Sequence, residues 1–337
     1  MKARTLGLLA VGTLLLSTSA GMKLAAKDLD PTPEPNGTIL EQKKTRPHMD
    51  LAFCIDTTGS MQGEINMVKV KVKDLVAKLS TGKPAPIVRV GLVAFRDRGD
   101  AYVTKVYPFT DDIDKFVKDI SDLKADGGGD GPESVNEALH VSVDSLSWDT
   151  SNKTAKLLFL IGDAGPHVYS DDYKWEDESR KAIAKGIQIN TLACDGLQTA
   201  NDGGLDVFQK IAKLTDGQFE NLAYRQIVRD ASGKETTVIS SGGESFAVAE
   251  GARAEWKRGA KVLSSVGKAK PMMYAAAGER TRGFAGGAPS GVSAGMMKAD
   301  FAGLASAPAL DRKDSNLDSL MYDAAVKKAR EKLNVGY

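Results

Sequence analysis

The sequence predicts an α/β protein: a doubly wound, mostly parallel six-stranded sheet with helices on both faces, followed by a C-terminal extension. Two observations predict this fold class. Continuously apolar runs at residues 51–55 and 157–161 are typical of parallel strands that are buried on both faces. Segments with apolar residues at helical spacing, such as residues 65–79, lie between the predicted strands. Strands that alternate with helices in this way form a parallel sheet.

The order of the elements follows from local patterns along the chain. After the strand at 51–55 and the helix at 65–79, a long apolar strand is expected at 87–95. The short alternating segment 102–108 predicts an antiparallel edge strand, and Thr110 or Asp111 can cap the helix that follows it. The remaining predicted elements are helices at 112–123, 134–146, 175–185 and 205–214 and strands at 157–161, 187–194 and 219–224.

The N-terminal residues 1–20 have the three-part pattern of a secretory signal peptide. Lys2 and Arg4 precede an apolar stretch at 6–16, and small residues up to Ala20 suit a cleavage site. A membrane-spanning helix needs roughly 20 apolar residues, and this stretch has eleven. We therefore expect export to the periplasm, the cell envelope or the medium, and no transmembrane segment in the mature chain.

The chain after the signal peptide divides by composition. Residues 21–46 contain three prolines among mostly polar residues and predict a stiff linker. The α/β domain is expected at 47–225. The predicted segments beyond it are a hairpin and helix at 226–263, a flexible Gly- and Ala-rich tail at 264–313, and a C-terminal helix within 314–337.

These C-terminal segments have their own local signals. A hairpin is expected at 226–239 around a glycine-containing turn, and a helix at 245–262. The last helix is predicted at 317–333, where Ser315 and Asp318 resemble a capping box. Its apolar stripe suits docking onto the domain or binding to a partner.

Charge and cysteine content exclude two interpretations. The 45 basic and 44 acidic residues nearly cancel, which argues against a nucleic-acid-binding protein. Cys54 and Cys194 fall in predicted strands that are not neighbours in the sheet, so we expect two buried thiols and no disulfide.

The most informative segment is residues 56–60, Asp-Thr-Thr-Gly-Ser, directly after the first strand. Asp56, Thr58 and Ser60 would emerge together at the carboxyl edge of the sheet, where open α/β sheets bind ligands. A carboxylate with two hydroxyls suits Mg²⁺, Mn²⁺ or Ca²⁺. The alternative is an ordinary strand-to-helix turn in which Thr58 or Ser60 caps the helix.

Two further acidic loops favour the metal interpretation. Residues 127–133 read Gly-Gly-Gly-Asp-Gly-Pro-Glu, and residues 162–165 read Gly-Asp-Ala-Gly after the strand at 157–161. Parallel strands all point their carboxyl ends the same way, so the three loops would converge on one edge of the sheet. Converging carboxylates repel each other unless a cation lies among them.

These motifs resemble the von Willebrand factor A domain family and its metal-ion-dependent adhesion site. Residues 56–60 are similar to the family's Asp-x-Ser/Thr-x-Ser motif, whose hydroxyls touch the metal. Residues 130–133 and 163–167 look like the Asp-x-Pro-Glu and Asp-Ala-Gly-x-His loops of integrin β-subunits. The resemblance covers residues 49–224, and it implies a site for Mg²⁺ or Mn²⁺. The implied ligands are Asp56, Thr58, Ser60, Glu133 and Asp163.

The resemblance also implies a second cation site, for Ca²⁺, at Asp97 and Asp130 beside the carboxylate of Glu133. Gly128 stands where integrin β-subunits carry an asparagine, so this site has one donor fewer. A third site would depend on Glu64 alone.

The function expected from this resemblance is a secreted, non-enzymatic, adhesion-type module that captures a carboxylate of a protein partner through its metal ion. Two alternatives stay open. One is a structural scaffold protein of the cell envelope whose metal site is vestigial. The other is a metal-dependent hydrolase, for which His167 is the single histidine near the predicted site. The sequence contains no Walker-type phosphate loop and no evident nucleophile with its base.

Overall fold

A computed structural model describes residues 46–129, 131–229, 235–248, 257, 269–272 and 314–337. The strands are β1 (His48–Asp56), β2 (Ile87–Phe95), β3 (Thr104–Thr110), β4 (Ala155–Gly162), β5 (Ile187–Ala193), β6 (Phe219–Asn221), β7 (Ala223–Arg229), β8 (Glu235–Ser241), β9 (Glu244–Val248) and β10 (Ala269–Met272). The helices are α1 (Gln62–Leu79), α2 (Ile113–Asp119), α3 (Val135–His140), α4 (Trp175–Ala184), α5 (Gly204–Leu214) and α6 (Leu317–Leu333).

The first sheet has six strands in the order β3-β2-β1-β4-β5-β6. All neighbours run parallel except β3, which is the antiparallel edge strand. The predicted fold class is therefore confirmed. In the parallel registers of β1, Asp56 lies opposite Phe95 of β2 and Ile55 lies opposite Ile161 of β4. The loops after β1, β2 and β4 thus leave the sheet at the same edge.

Strand β1 is continuously apolar because its two faces lie against two different hydrophobic clusters. Phe53 points into the cluster with α1, α2 and α6, where its ring stacks on Phe159 at a centroid distance of 6.0 Å. Cys54 points into the opposite cluster with α3, α4 and α5. Cys54 and Cys194 are both buried free thiols, as predicted, and burial raises the pKa of Cys54 to about 12.

Some predicted boundaries of the helices that pack on the first sheet are wrong. Helix α2 begins after Asp112, whose carboxylate accepts the Lys115 N–H at 2.9 Å, so neither Thr110 nor Asp111 is the cap. The Thr110 hydroxyl instead accepts the Asp112 N–H at 3.0 Å. Helix α3 ends at His140, and residues 141–145 continue as a wider π-helical turn.

Helix α6 has the bounds that the sequence predicts, but its start is different. Asn316 occupies the N-cap position and makes no side-chain capping hydrogen bond, and the predicted Ser315 contributes only a 3.5 Å contact, in which its hydroxyl accepts the Leu317 N–H. The amide oxygen of Asn316 instead accepts the N–H of Ala223 at 2.8 Å, which ties the helix to β7. The apolar face of α6 is buried in the same cluster as α1 and β1.

The second sheet is antiparallel, with the order β10-β9-β8-β7. Strands β7 and β8 form the predicted hairpin, whose turn at 230–234 lies outside the described residues. Two predictions in this region are wrong. The last strand of the first sheet ends at Asn221 instead of 224, since residues 223–224 belong to β7. Residues 245–248, predicted as the start of a helix, lie in β9.

Several predicted segments lie outside the described residues. They include the signal peptide at 1–20, nearly all of the linker at 21–46 and the tail at 264–313 except for β10. Within the described part of the chain, no helix is both long enough and apolar enough to cross a membrane.

Candidate metal centre

Asp56 is the last residue of β1, and its side chain is buried. Its Oδ1 accepts two hydrogen bonds from Thr58, one from the backbone N–H at 2.8 Å and one from the hydroxyl at 2.7 Å. The intervening residue, Thr57, donates its N–H and its hydroxyl to the carbonyl of Phe95, each at 2.8 Å. These bonds fix the loop against the end of β2 and orient the Asp56 carboxylate.

The capping alternative does not hold for Thr58. Thr58 precedes a 3-10 turn at Gly59–Met61, and Met61 precedes α1, but neither residue makes a side-chain capping hydrogen bond. The Thr58 hydroxyl donates to Asp56 instead. The Thr58 hydroxyl is therefore not explained by a helix start.

Glycines let the second loop approach the first. Gly127 and Gly128 have φ values of +78° and +79°, a region that side chains with a Cβ rarely adopt. A Cβ at Gly128 would lie 2.9 Å from the Cβ of Thr58 and 3.1 Å from Glu133 Oε1. The Gly59 N–H donates to the Gly127 carbonyl at 3.1 Å. The absence of a side chain at 128 thus brings Glu133 close to Thr58.

The second and third loops are joined by backbone hydrogen bonds. The Glu133 N–H donates to the Gly165 carbonyl at 2.9 Å, and the His167 N–H donates to the Glu133 carbonyl at 2.8 Å. Asp163 follows β4 and precedes this connection. All five side chains that the sequence predicts as metal ligands therefore lie on three loops that are bonded to one another.

The carboxylates of this cluster repel each other. Burial raises the pKa of Glu133 to about 9, and Asp56 is the next strongest cause. The pKa of Asp56 is raised well above its usual value by burial and then by the charge of Asp163. Without a cation, the carboxyl groups of Asp56 and Glu133 therefore retain protons above their usual pH range.

The cluster has the properties of a site for a hard divalent cation. Asp56 Oδ2 and Glu133 Oε2 are buried and have no hydrogen-bond partner among the described residues. Buried polar atoms are nearly always hydrogen-bonded, so two such oxygens need an explanation. A set of carboxylate and hydroxyl oxygens suits Mg²⁺, Mn²⁺ or Ca²⁺. The residues therefore fit the ion that the sequence predicts.

Asp97, predicted for a second cation site, is different. The Ser134 hydroxyl donates to its Oδ1 at 2.7 Å, and the Tyr169 hydroxyl donates to its Oδ2 at 2.6 Å. His167 Nδ1 lies 3.2 Å from the same Oδ2. Its predicted partner Asp130 lies outside the described residues. Both oxygens of Asp97 are thus already occupied by side-chain donors.

One oxygen of Glu64, the single residue left for a third site, is also held by the protein. Glu64 is buried in the first turn of α1, and its Oε1 accepts the Tyr224 hydroxyl at 2.7 Å. The Tyr224 oxygen in turn accepts the Asp195 N–H at 3.2 Å.

Sequence reasoning missed Ser134, Tyr169 and Tyr224 as partners of buried carboxylates. Ser134 is adjacent to Glu133, and Tyr169 lies two residues after His167, so both lie beside positions that the motifs single out. Tyr224 had no local signal, because its partner Glu64 is distant in sequence.

The rim around the cluster is aromatic and partly basic. The Tyr169 ring stacks on the His167 ring at a centroid distance of 4.1 Å. The Arg98 guanidinium also lies 4.1 Å from the centroid of the Tyr169 ring. Between the two rings in sequence, Val168 is 86% exposed.

Comparison with known proteins supports the family resemblance. A family model described as "von Willebrand factor A domain" matches residues 50–224. The human von Willebrand factor A domain-containing protein 7 is 38% identical over 97 residues, which are 29% of this chain and 10% of that protein. Mouse hemicentin-1 is 28% identical over 179 residues, 52% of this chain and 3% of that protein. The chain thus spans a tenth or less of both relatives.

More distant matches have other descriptions. The alpha-protein kinase vwkA of Dictyostelium discoideum is 26% identical over 148 residues, 44% of this chain and 23% of that protein. Among solved structures, BatB from Bacteroides thetaiotaomicron matches with 17% identity and a TM-score of 0.35, covering 51% of this chain and 88% of BatB. At these values the structural match carries no argument about function.

Proposed function

The chain belongs to the von Willebrand factor A domain family, and we propose that it is a secreted, divalent-cation-dependent, adhesion-type module that binds a protein partner and has no enzymatic activity. The observation that carries the proposal is the pair of buried carboxylate oxygens, Asp56 Oδ2 and Glu133 Oε2, without a partner among the described residues. Family membership supports a role in protein interaction. The carboxylate cluster supports dependence on a cation.

The residues that would hold the ion are Asp56, Thr58, Ser60, Glu133 and Asp163. When bound, Mg²⁺ or Mn²⁺ supplies a Lewis-acidic position that a carboxylate of the partner can complete. The protein contributes oriented donors: the two hydrogen bonds from Thr58 fix one oxygen of Asp56 and leave the other available. The Ca²⁺ site at Asp97 and Asp130 stays a prediction, which the three side-chain contacts of Asp97 do not favour.

The hydrolase alternative needs a general base, which would be His167 or a nearby carboxylate. The Nδ1 of His167 lies beside Asp97 and its ring stacks on Tyr169, so the imidazole is part of the neighbouring hydrogen-bonded group. A general base must be free to take a proton from a bound water or nucleophile. The binding module is therefore the function that we propose.

The metal site is tested by thermal unfolding of the metal-free mature protein with and without Mg²⁺ or Mn²⁺. An ion at 100 times its dissociation constant should add about 2.7 kcal/mol to the free energy of unfolding, provided that it does not bind the unfolded chain. Asp56→Ala should remove this gain. A melting temperature unchanged at millimolar cation would reject the site, and a gain that survives Asp56→Ala would place the ion elsewhere.

Partner binding is tested by recovering proteins from the native cell envelope on immobilised wild-type protein. We expect a chelator to release the partner and Mn²⁺ to restore binding. Ser60→Ala should weaken metal and partner binding together, because it removes a proposed direct ligand. Ser121→Ala is the matched control, since Ser121 is exposed and is not among the proposed ligands. Equal recovery with chelator and with Ser60→Ala would favour the scaffold alternative.

A further inference from the structure

A second cluster of metal-binding side chains lies between α3 and α4, on different residues from the proposed centre at the sheet edge. His140 Nδ1 is 3.3 Å from Asp144 Oδ2 and 3.4 Å from Glu178 Oε1. One ligand atom from each of the three residues lies within 4.8 Å of the other two. Side chains from two helices and the π-helical turn thus converge on one point.

The two distances match the spacing of ligands around zinc. Tetrahedral Zn²⁺ binds nitrogen and oxygen at about 2.0–2.1 Å, which places neighbouring ligand atoms about 3.3–3.4 Å apart. A hydrogen-bonded imidazole and carboxylate would come closer, at about 2.7–2.9 Å. The two observed distances fit ligands of a common ion.

Unsatisfied buried atoms provide a second, independent observation. His140 Nδ1 and Glu178 Oε2 are buried and make no hydrogen bond within the described part of the chain. Glu178 is only 2% exposed. A buried carboxylate oxygen is costly to leave without a donor. The other oxygen of Glu178, Oε1, is the one that faces His140 Nδ1.

The local fold holds the imidazole in place. The Tyr173 ring stacks on the His140 ring at a centroid distance of 3.6 Å and an angle of 7°. The π-helical turn at Val141–Ser145 carries Asp144 back towards His140. Single π-helical turns inside helices are often found at functional sites.

Two lysines neutralise the acids in the structure as it stands. Lys181 Nζ lies 3.2 Å from Asp144 Oδ2 and 2.9 Å from Glu178 Oε1, the same oxygens that face His140. Lys185 Nζ lies 2.5 Å from Asp144 Oδ1. The side chains of both lysines are more than 40% exposed. Their ammonium groups can therefore move into solvent when a cation takes their place.

We propose that His140, Asp144 and Glu178 form a Zn²⁺ site with a fourth position for water. One nitrogen and two carboxylate oxygens are a zinc-type ligand set, softer than the all-oxygen set at the sheet edge. The ion would join α3 to α4. Helix α3 follows Glu133, and Tyr173 lies in the segment between Asp163 and α4. The zinc ion would therefore also stabilise the second and third loops of the sheet-edge centre.

The test is a Zn²⁺ titration of the metal-free mature protein against a chromophoric chelator, with Co²⁺ as a probe whose visible absorption is strong only in tetrahedral sites. Asp56→Ala serves as the background that removes the sheet-edge centre. We expect one tetrahedral Co²⁺ and one tight Zn²⁺ in wild type and in Asp56→Ala. Losing a residue that hydrogen-bonds to a metal ligand lowers metal affinity by about 10–100-fold. His140→Gln removes a direct ligand, so it should lower the affinity for Zn²⁺ by more than about 100-fold.

A variant with the opposite expected effect sharpens the test. Lys181→Met removes the competing ammonium and should tighten Zn²⁺ binding. If His140→Gln does not fold, Glu178→Gln gives the same loss by removing a ligand charge. Zinc affinity unchanged by both ligand variants, tetrahedral Co²⁺ lost in Asp56→Ala, or no Zn²⁺ bound by any variant would each overturn the proposal and leave the cluster as a salt-bridge network.

Discussion

Two sets of buried acids lie at the edge of the first sheet, Asp97 on one side and Asp56 with Glu133 on the other. They differ in the hydrogen-bond donors that the protein supplies to them. Asp97 receives hydrogen bonds from the Ser134 and Tyr169 hydroxyls and contacts His167. Asp56 and Glu133 each keep a buried oxygen without a partner among the described residues. Burial and the charge of Asp163 raise the pKa of Asp56, and burial and the charge of Asp56 raise the pKa of Glu133. The comparison shows that burial of an acid does not by itself indicate a metal site, because what distinguishes the two groups is whether the protein supplies the donors.

The largest expected change in stability comes from Asp97, whose two carboxylate oxygens both have side-chain partners. Asp97→Ala removes an acceptor of two hydroxyl hydrogen bonds, and each hydrogen bond to a charged group is worth about 1.5–3 kcal/mol. We expect the metal-free protein to lose about 3 kcal/mol of unfolding free energy in chemical denaturation. A loss below about 1 kcal/mol would contradict the view that Asp97 is a structural acid.

Glu133→Gln should raise the unfolding free energy of the metal-free protein, whereas Asp97→Ala should lower it. Removing a carboxyl group that burial and neighbouring acids disfavour should stabilise the metal-free protein by about 1 kcal/mol at pH 7. The same change should abolish the stabilisation by Mg²⁺ or Mn²⁺, since it removes a proposed ligand.

Glu137→Gln is the matched control for this variant. It makes the same chemical change one turn further along, where Glu137 is partly exposed and lies 4.0 Å from Arg98. The control should leave both the metal-free stability and the cation response nearly unchanged. If Glu133→Gln destabilises the metal-free protein, the carboxylate cluster is not strained in the way that we describe.

The pH dependence follows from the raised pKa of Glu133, about 9 compared with a usual value of 4.5. Between these values the folded metal-free protein holds a proton that the unfolded chain has released. Its stability should therefore fall as pH rises through this window, by at most about 1.4 kcal/mol per pH unit from this group. Cation binding displaces the proton, so affinity should rise with pH over the same range. Titration calorimetry in buffers of different ionisation enthalpy should detect proton release, and its absence at pH 7 would contradict the prediction.

The smallest effect on partner binding is expected at the rim. His167→Ala removes one contact of Asp97 but no proposed metal ligand, so cation-dependent partner binding should change by less than the loss in Ser60→Ala. Surface-bound partner at fixed ionic strength measures both variants. A loss equal to that of Ser60→Ala would place His167 in the binding site itself, and loss of a hydrolytic activity would revive the hydrolase alternative.

The sequence predicted the sheet well because its strands are continuous apolar runs. Strand β2 has the predicted bounds 87–95, and α6 has the predicted bounds 317–333. Prediction was weaker where a few hydrogen bonds decide the outcome. The start of α2 depends on which of three adjacent polar residues caps it, and the π-helical turn after His140 has no pattern that distinguishes it from an α-helix.

In the candidate site, too, the sequence predicted the backbone segments better than the individual hydrogen bonds. The motifs identified the loops, and the structure brings Asp56, Glu133 and Asp163 together. Whether a given acid is satisfied or not could not be predicted, because the donors to Asp97 and Glu64 come from separate segments of the chain. Tyr224 and Glu64 are 160 residues apart in sequence, yet they form a 2.7 Å hydrogen bond.

Helix α6 has a consequence for how the protein is made. Met321, Ala325 and Ala329 are fully buried against the layer that contains α1, although the second sheet separates α6 from that layer in sequence. Contacts between distant segments form slowly, because the entropy of closing the long loop is lost before the contacts stabilise the fold. During synthesis, the first sheet emerges from the ribosome well before its covering helix. The hydrophobic core therefore closes late, and until then the nascent chain exposes the apolar surface of α1 to chaperones and to other chains.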